Sequence, residues 1–169
     1  MKRINYINKQ TIILAADHAG FKLKEAVKSF LQEKGYGIED VGAFEYKEGD
    51  DYPGFMIKTA QKIATDVSGG LKAIIFGGSG QGEAMVVNRF PGVRAVVWYG
   101  DASPKSELEI DAINIIKLSR TDNDANVLSI GARFVDEDVA KEAIIKWLET
   151  PFSGEERHKR RIAQIDSIE

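Results

Sequence analysis

Short apolar runs alternate along the chain with segments whose apolar residues recur every three or four positions. Residues 11–16, TIILAA, read as a first strand. In FKLKEAVKSFLQEKG, Leu23, Val27, Phe30 and Leu31 share one helical face, and Gly35 stops the helix. YGIEDVG (36–42) is a second, weaker strand. PGFMIKTAQKIATDV opens on Pro53 and aligns Met56, Ala60, Ile63, Ala64 and Val67 as a helix face. KAIIFGG (72–78), VRAVVWY (93–99) and NVLSIGAR (126–133) are the third, fourth and fifth strands. DEDVAKEAIIKWLET is a helix with Val139, Ala143, Ile144 and Trp147 inward, and the basic segment RHKRRIAQI ends the chain as another helix.

Strands alternating with helices predict an α/β fold: a single-domain, Rossmann-like three-layer sandwich around a five-stranded parallel sheet, in the order 2-1-3-4-5. The nearly all-apolar third and fifth strands fit burial on both faces. Residues 1–10 read as an N-terminal extension, and 11–169 as the domain, basic helix included. In such sheets ligands bind beyond the carboxyl ends of the strands, where strands 1 and 3 diverge. Two loops meet there, ADHAG (16–20) after strand 1 and GGSGQGE (77–83) after strand 3.

Composition narrows the field. The chain has 169 residues, 43% hydrophobic and 29% charged, within the range of one globular domain. A net charge of −3 gives no general reason to expect nucleic acid or an anionic membrane surface as partner. The sequence has no run of about 18 apolar residues, and MKRINYINKQ has no apolar core of a signal peptide, so a cytoplasmic protein is the expectation. Cysteine is absent, which excludes disulfides, thiolate metal sites and a cysteine nucleophile.

The glycine loop fits neither common nucleotide motif. No lysine follows the glycines as a P-loop requires, and a G-x-G-x-x-G fingerprint begun at Gly78 and Gly80 meets Glu83 at its third glycine. Asp101, near the end of strand 4, stands roughly where a ribose-binding acid would. The glycines serve a tight strand-to-helix turn. Glu83 suits the first turn of a helix through the dipole, and equally suits acid–base chemistry in an amide-rich loop. Asp17 and His18 follow the first strand directly. The only other histidine, His158, lies in RHKRR, where Arg157 and Arg161 are four apart and share a helix face. Two guanidiniums so placed can grip a phosphate; the plain alternative is a solvated basic tail. Arg133, just after strand 5, is expected to join them at the same sheet edge.

Five segments, AADHAGFKLK, DDYP, GGSGQGEAMVVNRFPGVRAVV, NDANVLSIGAR and TPFSGEERHKRRI, together resemble the type B ribose-5-phosphate isomerase family, which includes the galactose-6-phosphate isomerase subunits. The resemblance runs in order from about Ile12 to Ile165. It implies an aldose–ketose isomerase working on sugar phosphates through a cis-enediolate, without metal or cofactor. It also implies homodimers or dimers of dimers whose sites are shared between protomers. In one branch of the family the base is a glutamate, and Glu83 matches it. Ser79, Gly80 and Gly82, with Gly78, match the loop around the enediolate oxygen, and Asp17 and His18 the residues around the sugar. Asn123 matches an asparagine reaching the substrate from the partner, and Arg133, Arg157 and Arg161 the phosphate-binding arginines.

The chain departs from that pattern at Asp122, where the family carries its ring-opening histidine. Three explanations compete: Asp122 works with a raised pKa; His18 takes the step; or the substrate arrives open-chain, or isomerisation is slow or absent. A second departure is an apparent insertion, GDASPKSELEID (100–111), which either reshapes the pocket mouth or is an inert surface loop. Asp122 and Asn123 precede strand 5 whereas Glu83 follows strand 3, so within one chain they are about five residues of about 3.3 Å apart along the sheet. If both serve one substrate, a second protomer must supply one set. The sequence thus points first to a sugar-phosphate isomerase, with ribose 5-phosphate ahead of six-carbon 6-phosphates. The alternatives are a non-catalytic sugar-phosphate-binding relative and a nucleotide-binding domain.

Overall fold

The computed structural model describes residues 9–101 and 114–168. Its elements run β1 (Lys9–Ala16), α1 (Phe21–Glu33), β2 (Tyr36–Gly42), α2 (Tyr52–Ala64), β3 (Lys72–Gly77), α3 (Gln81–Val87), β4 (Ala95–Trp98), α4 (Ile115–Thr121), β5 (Val127–Gly131), α5 (Glu137–Glu149) and α6 (Glu156–Asp166). β1 therefore includes Lys9 and Gln10, which the sequence reading placed in the extension. Most of the segment read as an insertion, residues 102–111, lies outside the described residues, as do residues 1–8.

All strand pairs are parallel. Alternate residues of β1 divide the core in two. Ile12, Leu14 and Ala16 face α1, α4 and α5 together with Ile74, Phe76, Leu128 and Ile130. Ile13 and Ala15 face α2 and α3 together with Ala73, Ile75 and Val127. This is the expected three-layer sandwich, and the period-two alternation is its cause.

The strand order is β2-β1-β3-β5-β4, not 2-1-3-4-5. The exchange of the last two strands has a physical reason. Every residue of β5 is buried, whereas three of the four β4 residues are only partly so. The short, half-covered strand takes the edge. β5 also carries Ser129, whose hydroxyl donates to the Gly80 carbonyl at 2.7 Å, and only a strand beside β3 can reach that loop.

Two helix faces match expectation except at one end. In α5 the buried stripe is Ala140, Ala143, Ile144, Trp147 and Leu148, and Val139 is exposed. The small Ala140 faces inward instead. In α2 the helix ends at Ala64, which is exposed, and Val67 lies beyond it in solvent. Among the described residues no helix is long and apolar enough to cross a membrane.

Candidate active site

The loops after β1, β2, β3 and β5 converge at the carboxyl edge of the sheet. Ala43 N–H donates to Ala16 O at 2.7 Å, and Ala132 N–H donates to Gly77 O at 2.8 Å. Gly20 packs so closely on the β3 terminus that a Cβ there would lie 2.4 Å from Phe76 O. These contacts bring the two loops expected at the switch point against each other.

Gly80 starts α3 in the left-handed region, with φ 76°, which directs the chain sharply from strand into helix. One turn later Glu83 folds back under the loop. Only 4% of Glu83 is exposed, and a Cβ on Gly77 would fall 1.9 Å from its Oε1. Gly77 is thus the space the carboxylate occupies. Burial raises the Glu83 pKa, and the neighbouring Asp17 carboxylate raises it further, against a hydrogen bond from the residue's own backbone N–H. Ser79 is exposed at the loop tip, its Oγ accepting from Gln81 N–H at 3.3 Å. The Tyr52 phenol closes the other side, with its hydroxyl 2.6 Å from where a Gly82 Cβ would stand. The Arg133 guanidinium lies over Gly78, 3.2 Å from the corresponding position, and Arg133 N–H donates to Gly78 O at 3.1 Å.

Asp17 is buried and caps the next turn, its Oδ1 accepting from Gly20 N–H at 3.0 Å. His18 pairs with Asp50, whose Oδ1 lies 2.8 Å from both His18 N and His18 Nδ1. An ionised carboxylate only accepts, so Nδ1 carries the proton. The His18 pKa is raised, first by this hydrogen bond and then by the Asp17 and Asp50 charges, against desolvation and Arg133. One donor atom each from Asp17, His18 and Asp50 lies within 4.8 Å of the others.

The remaining candidates sit elsewhere. Asp122 caps the C-terminus of α4 and Asn123 follows it, both before β5 and so at the amino edge of the sheet. α6 lies at that same edge. Ser153 N–H donates to Thr121 O at 3.0 Å, the buried His158 Nε2 stands 3.9 Å from Asp122 Oδ1, and Arg94 ties Asp166 at 3.1 Å. Arg157 and Arg161 are exposed on this helix, Arg157 against Glu155 at 2.8 Å. The expectation that Arg133 joins them at one edge therefore fails within a single chain. β5 delivers Arg133 to the carboxyl edge, and α5 carries the chain back before α6 begins.

The Ribose/Galactose Isomerase family matches residues 12–165. The chain belongs to this family. It is similar to ribose-5-phosphate isomerase B of Mycolicibacterium paratuberculosis, with 34% identity over 152 residues, 89% of this chain and 86% of that protein. Against ribose-5-phosphate isomerase B of Escherichia coli (strain K12) the identity is 35% over 159 residues, covering 94% and 95%. The structure of ribose-5-phosphate isomerase B from Mycoplasma genitalium with bound ribulose-5-phosphate superposes with a TM-score of 0.80 at 30% identity, covering 94% of this chain and 95% of that one.

Within this isomerase fold, two residues at the cleft escaped the sequence reading. Asp50 lies in the charged stretch KEGDDYP, which reads as a solvated loop, and its partner is 32 positions away. Tyr52 stands just before Pro53, where periodicity assigns it no role. The signal available for both was their place in DDYP, one of the five segments shared with the family.

Proposed function

We propose that the chain interconverts ribose 5-phosphate and ribulose 5-phosphate, with Glu83 moving the proton between C1 and C2. It is an aldose–ketose isomerase of the ribose/galactose isomerase family. The observation that carries the assignment of the base is the buried Glu83 carboxylate, folded against Gly77 beneath a turn of backbone amides. A carboxylate with a raised pKa is a stronger base toward a carbon acid, and such general-base help is typically worth about 10²–10⁴-fold. In this reading the amides of the 78–82 loop and the Ser79 hydroxyl serve as donors to the enediolate oxygen, and each such donor adds about 10²–10³-fold.

The opposite-edge placement of Asn123, Arg157 and Arg161 supports a homodimer, in which one protomer's α6 and 122–123 turn complete the other's cleft. A twofold arrangement generates two such sites. Exposed apolar residues at the carboxyl edge fit that reading. Tyr99 and Phe134, after β4 and β5, pack on each other at 6.0 Å with open outer faces.

The test follows proton exchange by NMR in D₂O. The wild-type protein is expected to incorporate deuterium at C2 of ribose 5-phosphate, and Glu83→Gln to lower that rate by at least about 10²-fold while still binding the ester. Binding without exchange by the wild type would favour a sugar-phosphate-binding relative instead, a reading prompted by Asp122 at the histidine position.

A further inference from the structure

The basic helix α6 buries one side chain of its 11 residues, His158. The Nε2 atom of that imidazole is shut from solvent and has no hydrogen-bond partner. Native structures rarely leave a buried polar atom in that state. Two carboxylates stand near it. Asp122 Oδ1, at the C-cap of α4, and Glu155 Oε2, at the N-cap of α6, are each 3.9 Å from Nε2. That distance is too long for a hydrogen bond. Ionised carboxylates only accept, so the nitrogen between them is the donor, Nε2–H.

We infer that His158 is a positioning residue for the phosphate clamp: its Nε2–H closes on Asp122 and so fixes α6, with Arg157 and Arg161, against the 122–123 turn. The inference rests on the isomerase reading above, in which α6 and that turn enter a partner's cleft together. Three features carry it. The first is place in the helix. Arg157 adjoins His158 and Arg161 follows three residues on, so a shift at the imidazole moves both guanidiniums. The second is the pinning of α6. Its far end is tied by Arg94 to Asp166 at 3.1 Å, and the arginine end has His158 as its single buried anchor. The third is the choice of carboxylate. Glu155 borders α6 itself and already accepts from Arg157 Nε at 2.8 Å, so a bond to it would tie the helix only to its own start. Asp122 belongs to α4, and its Oδ1 is held by the Thr121 hydroxyl at 2.7 Å. The backbone joins the same two segments, with Ser153 N–H donating to Thr121 O at 3.0 Å. Shortening the His158–Asp122 distance by about 1 Å completes the bond. Asp122 then accepts a hydrogen bond and transfers no proton, a role that does not depend on ring opening.

Affinity separates this positioning from chemistry. Four quantities are measured: KM and kcat for ribose 5-phosphate, the inhibition constant of inorganic phosphate, and exchange of the C1 proton of ribulose 5-phosphate in D₂O. The proteins are wild type, His158→Gln, His158→Phe, Asp122→Asn and Asp122→Ala. Glutamine keeps a donor near the place of Nε2, and phenylalanine fills the space without one. Asparagine keeps an accepting oxygen, and alanine has none. His158→Phe and Asp122→Ala are expected to raise KM and the phosphate inhibition constant together by about tenfold, the effect of one hydrogen bond to a charged group, with kcat within about threefold. His158→Gln and Asp122→Asn should recover most of that loss. Thermal melting checks folding, and the Asp122 side chain is 39% exposed, so its two variants repeat the test without disturbing the buried position.

If His158→Phe binds phosphate as well as His158→Gln does, the ring serves packing alone and the inference is overturned. Asp122→Asn that loses kcat on ribose 5-phosphate but keeps ribulose 5-phosphate exchange overturns it too, because Asp122 is then a proton carrier. Phosphate affinity unmoved by Arg157→Ala/Arg161→Ala removes the clamp, and the inference with it, while leaving the isomerase intact. A wild-type protein that catalyses neither turnover nor exchange overturns the isomerase reading itself.

Discussion

At the scale of single residues, Glu83 is held in a state that favours chemistry over stability. Its pKa is raised by burial and by Asp17, so the folded chain binds a proton more tightly than the unfolded chain does. Stability from this group is therefore complete below the ordinary carboxylate value of 4.5 and is lost as pH rises through the folded-state value. Glu83→Gln removes the ionisation. The variant is expected to melt at a higher temperature than wild type at pH 7, and the gap should close when both are melted below pH ~4. A wild-type protein that melts higher at pH 7 would mean the carboxylate is stabilised where it sits. The same shift fixes the sign for catalysis. The base works only when ionised, so the acid limb of C1 exchange with ribulose 5-phosphate should stand above the ordinary carboxylate range and vanish with Glu83→Gln. Lys24 shows the opposite economy of charge. It is fully buried, yet its Nζ donates to Asp40 Oδ1 and Oδ2 at 2.7 and 2.8 Å and to Ala43 O at 2.7 Å. That arrangement satisfies all three N–H groups and secures the end of β2 beside the cleft.

Elements set where those residues can stand. The β3–α3 turn works because Gly80 takes φ 76° and because a Cβ there would meet Ser129 Oγ at 3.0 Å and Gly131 N at 3.2 Å. Gly80→Ala confronts both the left-handed backbone and the floor made by β5. The backbone term alone costs about 1–2 kcal/mol, and for a chain of this size that lowers Tm by about 2–8 °C. Thermal melting of the variant checks this, and an unchanged Tm would show that the turn has another accessible conformation. This turn was legible in the sequence because a buried strand, a run of glycines and a helix face are all local signals. So were β1, β2 and the apolar stripe of α1. What local patterns do not encode is phase and neighbourhood. Val139 and Ala140 offer α5 two stripes about 100° apart, and the choice falls on Ala140 because the smaller residue lets the helix approach the sheet closely. AVVW of β4 and VLSIG of β5 are equally apolar, and their order is decided by Ser129 needing the Gly80 carbonyl. Asp50 pairs with His18 across 32 positions, a separation at which charge in a loop looks like solvation.

At the scale of the whole molecule, chain direction divides the candidate site. After β5 reaches the carboxyl edge with Arg133, α5 runs back for 13 residues, about 20 Å at about 1.5 Å each, and α6 begins at the amino edge beside Asp122. The sequence contained this arithmetic for Asp122 and Asn123, whose separation from Glu83 follows from strand polarity. Arg157 and Arg161 follow one strand and one helix more, and the same polarity carries them to the amino edge. Only His158 of α6 is buried in the chain, so most of the helix surface is open to a neighbour. If that neighbour is a second copy, the glutamate and the arginine pair acting on one substrate come from different protomers, and two defective chains can repair each other. Glu83→Gln lacks the base but keeps α6; Arg157→Ala/Arg161→Ala lacks the clamp but keeps the base. Each variant alone should have forward turnover reduced by at least about 10²-fold at sub-saturating ribose 5-phosphate, since charge-assisted hydrogen bonds are worth about 1.5–3 kcal/mol each. When the two are unfolded together and refolded as an equal mixture, half of the dimers are mixed. Each mixed dimer contains one site with both an intact base and an intact clamp, so activity should recover to about a quarter of wild type. Recovery should track the fraction of mixed dimer separated by charge or by tag. A mixture no more active than the sum of its parts would mean that the base and the clamp do not meet across a subunit boundary, and that the α6 arginines serve some other contact.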